Sequence, residues 1–402
     1  MAISLGNTQT CCRESDRLAR LERGLLLQAQ QQFEPSGAFL DGNTSQELPA
    51  DRGIMLGARA SHAVLPTVIV SAREIRHIEL CRDPPCQRGD FDNGSATAIL
   101  KRRQLAPPRA MTGKERRRMN PNRGLIKVCE RYADITISRF VYPLLGKLWN
   151  PYSWQLERRF ELAETKLSPA GWPAGMASLR VLLITDIHAG IFLQPGTLWR
   201  ILCQLMELGP DLVVVGGDLV TGHVSEAERI LDRLVPLTRA PLGAWYCMGN
   251  HDYFGGDPEE LRNNLAAIGI RTLKNDSTVV PHGAGSFILG GIDDRIMGRP
   301  DWDRLMEKHG PPHLLMAHNP DQFYEAEKLA IPLTLSGHTH GGQIRLPNGP
   351  AIIRQSRYCL DEGVYSFGKS QLVVSRGLGS VFLPIRWGAD AEAVMIEIVP
   401  PA

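Results

Sequence analysis

Five separate apolar runs in this chain each end in aspartate, asparagine or histidine, and that recurrence constrains the fold more than any other feature. Val181-Leu182-Leu183-Ile184 leads into Asp186 and His188, and Leu212-Val213-Val214-Val215 leads through Gly216-Gly217 to Asp218. Trp245-Tyr246-Cys247-Met248 ends in Gly249-Asn250-His251-Asp252. Leu314-Leu315-Met316-Ala317 ends in His318-Asn319, and Leu333-Thr334-Leu335 ends in Ser336-Gly337-His338-Thr339-His340. Short apolar runs of this kind read as buried strands. In an α/β sheet the ligand crevice lies just outside the carboxyl ends of the strands. Any one of these histidines alone reads as a core or surface residue; five coincidences in one frame read as a site.

The surrounding pattern predicts a layered α/β domain over residues 175–402, because short β-branched runs alternate with helical segments. Strands are expected at Arg180–Thr185, Asp211–Gly216, Gly243–Met248, Ser286–Gly290, His313–Ala317, Leu333–Ser336, Gln371–Ser375 and Ala393–Ile398. Helices are expected over Pro195–Glu207, Ser225–Leu237, Pro258–Ile268 and Asp321–Leu329. Asp257 ahead of Pro258 has the form of an N-cap followed by proline at the first helical position.

The residue types point to a metal. A carboxylate with imidazoles suits divalent transition metals, whereas an all-oxygen set suits magnesium or calcium. Asp186 and His188 flank Ile187 and are expected to project to one face of an extended segment, as are His338 and His340 around Thr339. With Asp218 between them, two such pairs could hold two ions about 3.5–4 Å apart. Gly216, Gly217, Gly249 and Gly337 read as places of close backbone approach or unusual dihedrals. These ligand types fit manganese, iron and zinc alike.

Taken in order, Asp186-Ile187-His188, Gly217-Asp218, Gly249-Asn250-His251-Asp252, His318 and Gly337-His338-Thr339-His340 resemble the motifs of calcineurin-like metallophosphoesterases. The runs Gly337–Gln343 and Ser375–Gly379 resemble the bacterial YaeI/YkuE-type phosphodiesterases. The resemblance covers roughly residues 175 to 400 and implies a four-layer α-β-β-α sandwich of two sheets flanked by helices. It implies one divalent metal held by Asp186, His188, Asp218 and His340, and a second by Asp218, Asn250, His318 and His338, with Asp218 bridging. It places His251 beside the scissile phosphate, to stabilise charge or protonate the leaving group. The implied activity is hydrolysis of phosphodiester or pyrophosphate bonds by a metal-bound hydroxide attacking phosphorus, on a small or lipid-linked substrate such as a UDP-diacylglucosamine. A catalytically silent scaffold would be expected to lose ligands or the histidine after Asn250, and none is missing. Where many relatives carry a second aspartate that orients this histidine, the chain has Thr221, which is expected to lower the imidazole pKa and loosen its tautomer. Asp252 is the candidate replacement.

The rest of the chain differs in character. Residues 1–118 hold two lysines against 16 arginines, with Pro, Gly and Arg interrupting every candidate element. They read as a low-order extension, and the natural chain is expected to start near Met119, leaving a chain from 119 folded and active. Residues 119–174 read as an amphipathic helical segment and linker. Within it, residues 124–150 mix basic, apolar and aromatic residues as surface-lying membrane helices do. Peripheral contact with the inner face of a membrane is the functional reading of that segment, and packing on the catalytic domain is the other. Lys plus Arg at 45 against Asp plus Glu at 43 argues against nucleic acid as a partner held by bulk charge. The eight scattered cysteines form no zinc or disulfide framework, and no apolar run reaches the roughly 20 residues of a membrane span. A cytoplasmic location is the resulting expectation.

Overall fold

The computed structural model describes residues 100–111, 150–254, 256–345, 349, 351–352 and 354–400, all within the compact unit Arg82–Ala402. The expectations for residues 1–99 and 112–149, including the membrane-facing reading of that stretch, lie outside the described residues.

In chain order the elements are β1 (Lys101–Gln104), β2 (Arg109–Ala110), α1 (Pro151–Arg159), β3 (Glu161–Leu167), β4 (Leu179–Ile184), α2 (Pro195–Met206) and β5 (Leu212–Val215). They continue with α3 (Leu231–Leu234), β6 (Ala244–Tyr246), α4 (Pro258–Ala267), β7 (Ile270–Thr272), β8 (Asp276–His282), β9 (Gly285–Gly291) and α5 (Trp302–Glu307). The last are β10 (Leu314–Met316), α6 (Phe323–Lys328), β11 (Leu333–Ser336), β12 (Gly363–Phe367), β13 (Ser370–Val374) and β14 (Glu392–Ile398). Among the described residues these strands form two sheets, ordered β1-β3-β14-β4-β5-β6-β7 and β2-β12-β13-β11-β10-β9-β8. Strands β4 to β7 run parallel to one another, as do β9, β10, β11 and β13. Their carboxyl ends carry the aspartates, asparagine and histidines singled out above.

Alternation along the strands sorts the core into layers. Val181, Leu183, Leu212 and Val214 of the first sheet face Leu289, Leu314, Met316, Leu333 and Leu335 of the second, forming the inter-sheet core. The alternate residues Leu182, Ile184, Val213 and Val215 pack outward against Leu198, Leu202, Leu261 and Leu265 of α2 and α4. On the far side, Leu315 and Ala317 meet Leu305 of α5 and Ala326 of α6. The four-layer α-β-β-α sandwich expected from the resemblance is therefore the architecture. Each such aliphatic side chain contributes roughly 1.5–3 kcal/mol on burial, so the strand ends sit on a rigid base.

Several elements differ from the sequence reading. Residues 151–167, read as part of a helical segment and linker, form α1 and β3, and β3 is an interior strand between β1 and β14. The Lys101–Gln104 stretch extends that sheet, and Arg109–Ala110 pairs in parallel with β12 of the other. The helix expected over Ser225–Leu237 breaks into 3-10 turns around the single turn α3, with Pro236 near the start of the second 3-10 turn. Proline has no N–H to continue a helical ladder. Strand β8, not among the expected strands, carries Pro281, which is tolerated there on a sheet edge.

Candidate metal centre

The loops after β4, β5 and β11 turn back through the left-handed backbone region. Asp186 (φ 52°), His188 (47°), Asp218 (52°), His338 (69°) and His340 (52°) all have positive φ. The expectation of extended Asp186-Ile187-His188 and His338-Thr339-His340 segments is thus corrected. Asp and His reach this region more readily than most side chains, and each turn redirects a side chain to the space between the two sheets. Glycine makes the crowding tolerable: a Cβ on Gly249 or Gly337 would come within 2.2 Å of an Asp218 or Asp186 carboxylate oxygen.

The turns assemble two buried groups of candidate donors, Asp186 with His188 and His340, and Asp218 with His318 and His338. In the first, the Nε2 atoms of His188 and His340 lie 3.1 Å apart. His340 Nε2 is 3.4 Å from Asp186 Oδ1. In the second, His318 Nε2 is 3.0 Å from Asp218 Oδ2, yet it makes no hydrogen bond, so the contact runs off the N–H axis. The same Asp218 oxygen is 3.9 Å from His188 Nε2, which links the two groups through one carboxylate. Donors bound to one ion at about 2.0–2.2 Å sit roughly 3.0–3.4 Å apart in tetrahedral or adjacent octahedral positions, close to these separations. Asn250, next along the chain to the His251 N–H that donates to Asp218 Oδ1 at 2.8 Å, keeps a buried Oδ1 with no hydrogen bond. Unsatisfied buried acceptors are costly, and donors converging without a proton to share are what a cation satisfies. The residues fit a dinuclear centre.

Electrostatics agree with that reading. Burial alone would push the His318 imidazole down, but the Asp218 carboxylate, with Asp186 and Asp294, holds its pKa well above the ordinary value. His188 goes the other way, pushed well below its ordinary value by burial and by His251 and His340. Asp218 would be raised by burial, but His318, His251 and His188 hold it well below the usual carboxylate range. Without ions, His318 is the imidazole whose charge Asp218 favours, while His188 is held toward its neutral form.

His251 stands at the edge of this cluster, its ring edge-on to His188 with centroids 4.8 Å apart. Its Nδ1 contacts the Thr221 backbone carbonyl at 2.6 Å. A carbonyl can only accept, so Nδ1 carries the proton. The tautomer expected to loosen with threonine at 221 is therefore fixed, by the main chain. Asp252 does not take over as orienting acid, because its oxygens are occupied elsewhere. Oδ1 accepts from Leu219 N at 2.9 Å. Oδ2 accepts from Gly249 N at 2.7 Å, Asp218 N at 3.1 Å and the Tyr246 hydroxyl. Asp252 braces the Asp218 turn, a role that its place beside His251 in the sequence did not reveal. Burial and the Asp218 charge push its pKa up to about 6.

The calcineurin-like phosphoesterase family model matches residues 179–342. The chain is 32% identical over 247 residues to the phosphodiesterase YaeI of Escherichia coli, spanning 60% of this chain and 88% of that protein. It is 29% identical over 245 residues to the uncharacterized metallophosphoesterase YkuE of Bacillus subtilis, spanning 59% of this chain and 85% of that protein. The chain belongs to the calcineurin-like phosphoesterase family and is a metal-dependent phosphoesterase.

Proposed function

We propose that the protein hydrolyses phosphodiester or pyrophosphate bonds, and that its substrate is lipid-linked. The observation that carries the hydrolytic reading is the shared carboxylate: Asp218 Oδ2 faces His318 of one donor group and His188 of the other, with His251 ring-to-ring against His188. Asp186, His188, Asp218 and His340 would hold one divalent ion, and Asp218, Asn250, His318 and His338 the other, with manganese, iron and zinc all compatible with the donor set. When bound, such ions supply charge neutralisation at the phosphoryl oxygens and acidify an attacking water.

The chain's own groups do the rest. Thr221 O holds the Nδ1 proton of His251, so proton exchange with substrate falls to Nε2. Protonated, His251 carries a second proton there for a departing alkoxide; neutral, it can only accept. The Asp252 brace holds the Asp218 turn in place while charge moves.

The lipid-linked reading is supported by the rim. Leu383 and Trp387 are 50% and 61% exposed, and both lie beside the Gln343 turn that follows His340. The apolar run Val381–Ile385 is buried only at Val381. Such a rim would seat acyl chains next to the ions, at the inner face of a membrane in the cytoplasm. No helix among the described residues is long and apolar enough to cross a membrane. The test is a screen of manganese-, iron- and zinc-loaded protein on a phosphomonoester, a phosphodiester and a nucleotide-sugar pyrophosphate, each soluble and acylated in micelles. Preference for acylated diester or pyrophosphate is expected; equal rates on soluble and acylated forms would remove the lipid component, and inactivity on all of them would remove the hydrolase reading.

A further inference from the structure

Seven large apolar side chains stand out in solvent among the described residues, and four of them, Trp154, Ile352, Leu383 and Trp387, belong to one neighbourhood. Gln343, three residues past His340, is its centre. The Gln343 Nε2 donates to Val381 O at 2.7 Å and to Leu383 O at 3.1 Å, and its carbonyl accepts from Trp387 N at 2.9 Å. Next along the chain, Ile344 O accepts from Ile352 N at 3.1 Å. Gln155 of α1 accepts from Arg386 N at 2.9 Å and donates to Arg386 O at 3.3 Å, which sets α1, and with it Trp154, beside the same loop. Exposed apolar side chains scattered singly need no explanation; gathered at the mouth of a site they mark a contact surface.

The loop 381–387 inverts the usual arrangement. Leu383 and Trp387 face out, with Phe382 and Ile385 part-exposed, while the main-chain polar groups are spent inward. Besides the Gln343 and Gln155 pairs, Val381 N donates to Gln343 Oε1 at 3.0 Å, Arg345 N donates to Trp387 O at 2.8 Å, and Pro384 has no N–H to satisfy. The buried Arg386 guanidinium joins the two ends of the loop, donating to Gly379 O at 2.8 Å and Ala389 O at 3.2 Å. Leu383 N also reaches Val381 O at 2.6 Å across Phe382, whose φ of 59° is one that bulky side chains rarely adopt. Strained backbone of this kind clusters at sites that engage ligands. A loop enters an apolar medium without a large penalty only when its N–H and C=O groups are already paired, whereas a protein interface draws on free hydrogen-bonding groups. Charge adds direction. Glu157 and Asp390 are paired with Arg200 and Arg159, while Arg158, stacked over the Trp154 ring at 5.1 Å, meets no acid among the described residues.

We propose that the 381–387 loop and Trp154 insert into the boundary between headgroups and acyl chains of an anionic lipid bilayer, turning the mouth of the metal centre toward it. Tryptophan favours that boundary, and an unpaired arginine beside it meets anionic headgroups. The chain outside the described residues supports the same occupant. Its basic, aromatic and apolar stretch 124–149 runs directly into Asn150, whose side chain caps α1 four residues ahead of Trp154. The proposal deepens the lipid-linked reading above and rests on it for why the mouth should face a bilayer, but not for the docking itself.

The experiment is sedimentation of the full chain with vesicles of phosphatidylcholine, with and without phosphatidylglycerol. The full chain should bind, and more tightly where phosphatidylglycerol is present. Trp387→Ser and Trp154→Ser should each weaken binding about tenfold or more, and Arg158→Gln about fivefold on the anionic vesicles only. Asp218→Asn should bind as the wild type does, because docking does not need the centre. Wild-type binding in all three surface variants would pass the docking to another segment and overturn the proposal. Loss of binding in Asp218→Asn alone would overturn it too, by showing capture of single lipids at the centre. No binding by the wild type also overturns it, and Trp387→Ser turning a dimer into a monomer would then give the face to a second copy of the chain. Vesicle binding together with equal rates on soluble and acylated substrates would instead remove the lipid-linked reading and leave the docking standing.

Discussion

Two clusters of buried charge lie close together in this protein and are built on opposite plans. One is the pair of acid–imidazole groups at the strand ends. The other is an ion network in which Arg376 meets Glu161 and Glu392, both at 2.8 Å. Arg103 of β1 adds a 2.6 Å pair to Glu392 and Lys101 pairs with Glu161. In the network every carboxylate has cations in contact and nothing is asked of a ligand. In the first cluster, by contrast, the uncharged Asn250 Oδ1 is buried without a hydrogen bond, and two imidazole nitrogens face each other. The contrast separates buried polarity that holds a fold from buried polarity that waits for an ion. Removing a residue from one should cost activity, and from the other stability.

The largest effect expected is at Asp218. Asp218→Asn takes the shared carboxylate from both groups and should cut turnover on the order of 10³-fold or more, with little change in far-ultraviolet circular dichroism. Wild-type activity in added manganese would erase the distinction between the clusters. Next, Glu392→Ala leaves Arg376 short of a partner in a buried setting, where breaking a pair costs about 3–5 kcal/mol. Urea unfolding should show that loss, while folded variant with saturating manganese keeps turnover within about fivefold. A stable but inactive protein would mean that the network belongs to the catalytic machinery.

His251→Gln sharpens the comparison inside the first cluster. Metal content should be normal, and rates on substrates with poor leaving groups should fall by about 10²–10⁴-fold, far more than on nitrophenyl esters. Equal losses on both would assign His251 to charge stabilisation alone. The smallest effect is set by β1 and β2. A chain beginning at residue 119 lacks both, and should retain activity but lose about 1–2 kcal/mol relative to one beginning at 100, or roughly 2–6 °C in Tm. The gap should narrow in acid. Burial would raise the Glu161 pKa, but hydrogen bonds from Lys101 and Arg376 hold it below its ordinary value of 4.5. Its contribution is present above that ordinary value and is lost as pH falls through the lower folded one. An identical Tm at pH 7 for the two chains would show that the first two strands contribute nothing.

The metal groups were legible because each donor ends an apolar run, and burial of the run fixes the donor's place. The network was not legible. Glu161, Glu164 and Lys166 make β3 look like a solvated segment until partners from residues 101–103, 376 and 392 are beside it. Arg386 sits in Pro384-Ile385-Arg386-Trp387 with no periodicity to mark it, and only three-dimensional contact reveals its partners Gly379, Ala389 and His340. The part played by Thr221 is hidden for a related reason: its side chain offers no carboxylate, and its backbone carbonyl does the orienting. Helix propensity over Ser225–Leu237 was real but was overruled locally at Pro236.

The left-handed turns at Asp186, His188, Asp218, His338 and His340 have a consequence for how such a protein decays. Each non-glycine residue held there costs of order 1–3 kcal/mol, and the mutual crowding of the acids and imidazoles adds to it. A lineage that ceased to use the centre would find glycine or asparagine at these five positions favourable to folding, with no counter-pressure to keep the original residues. Inactive descendants should therefore be more heat-resistant than their working ancestor, and their substitutions should gather first at the strand ends. Erosion of this centre runs downhill in folding energy, and only selection for turnover holds it in place.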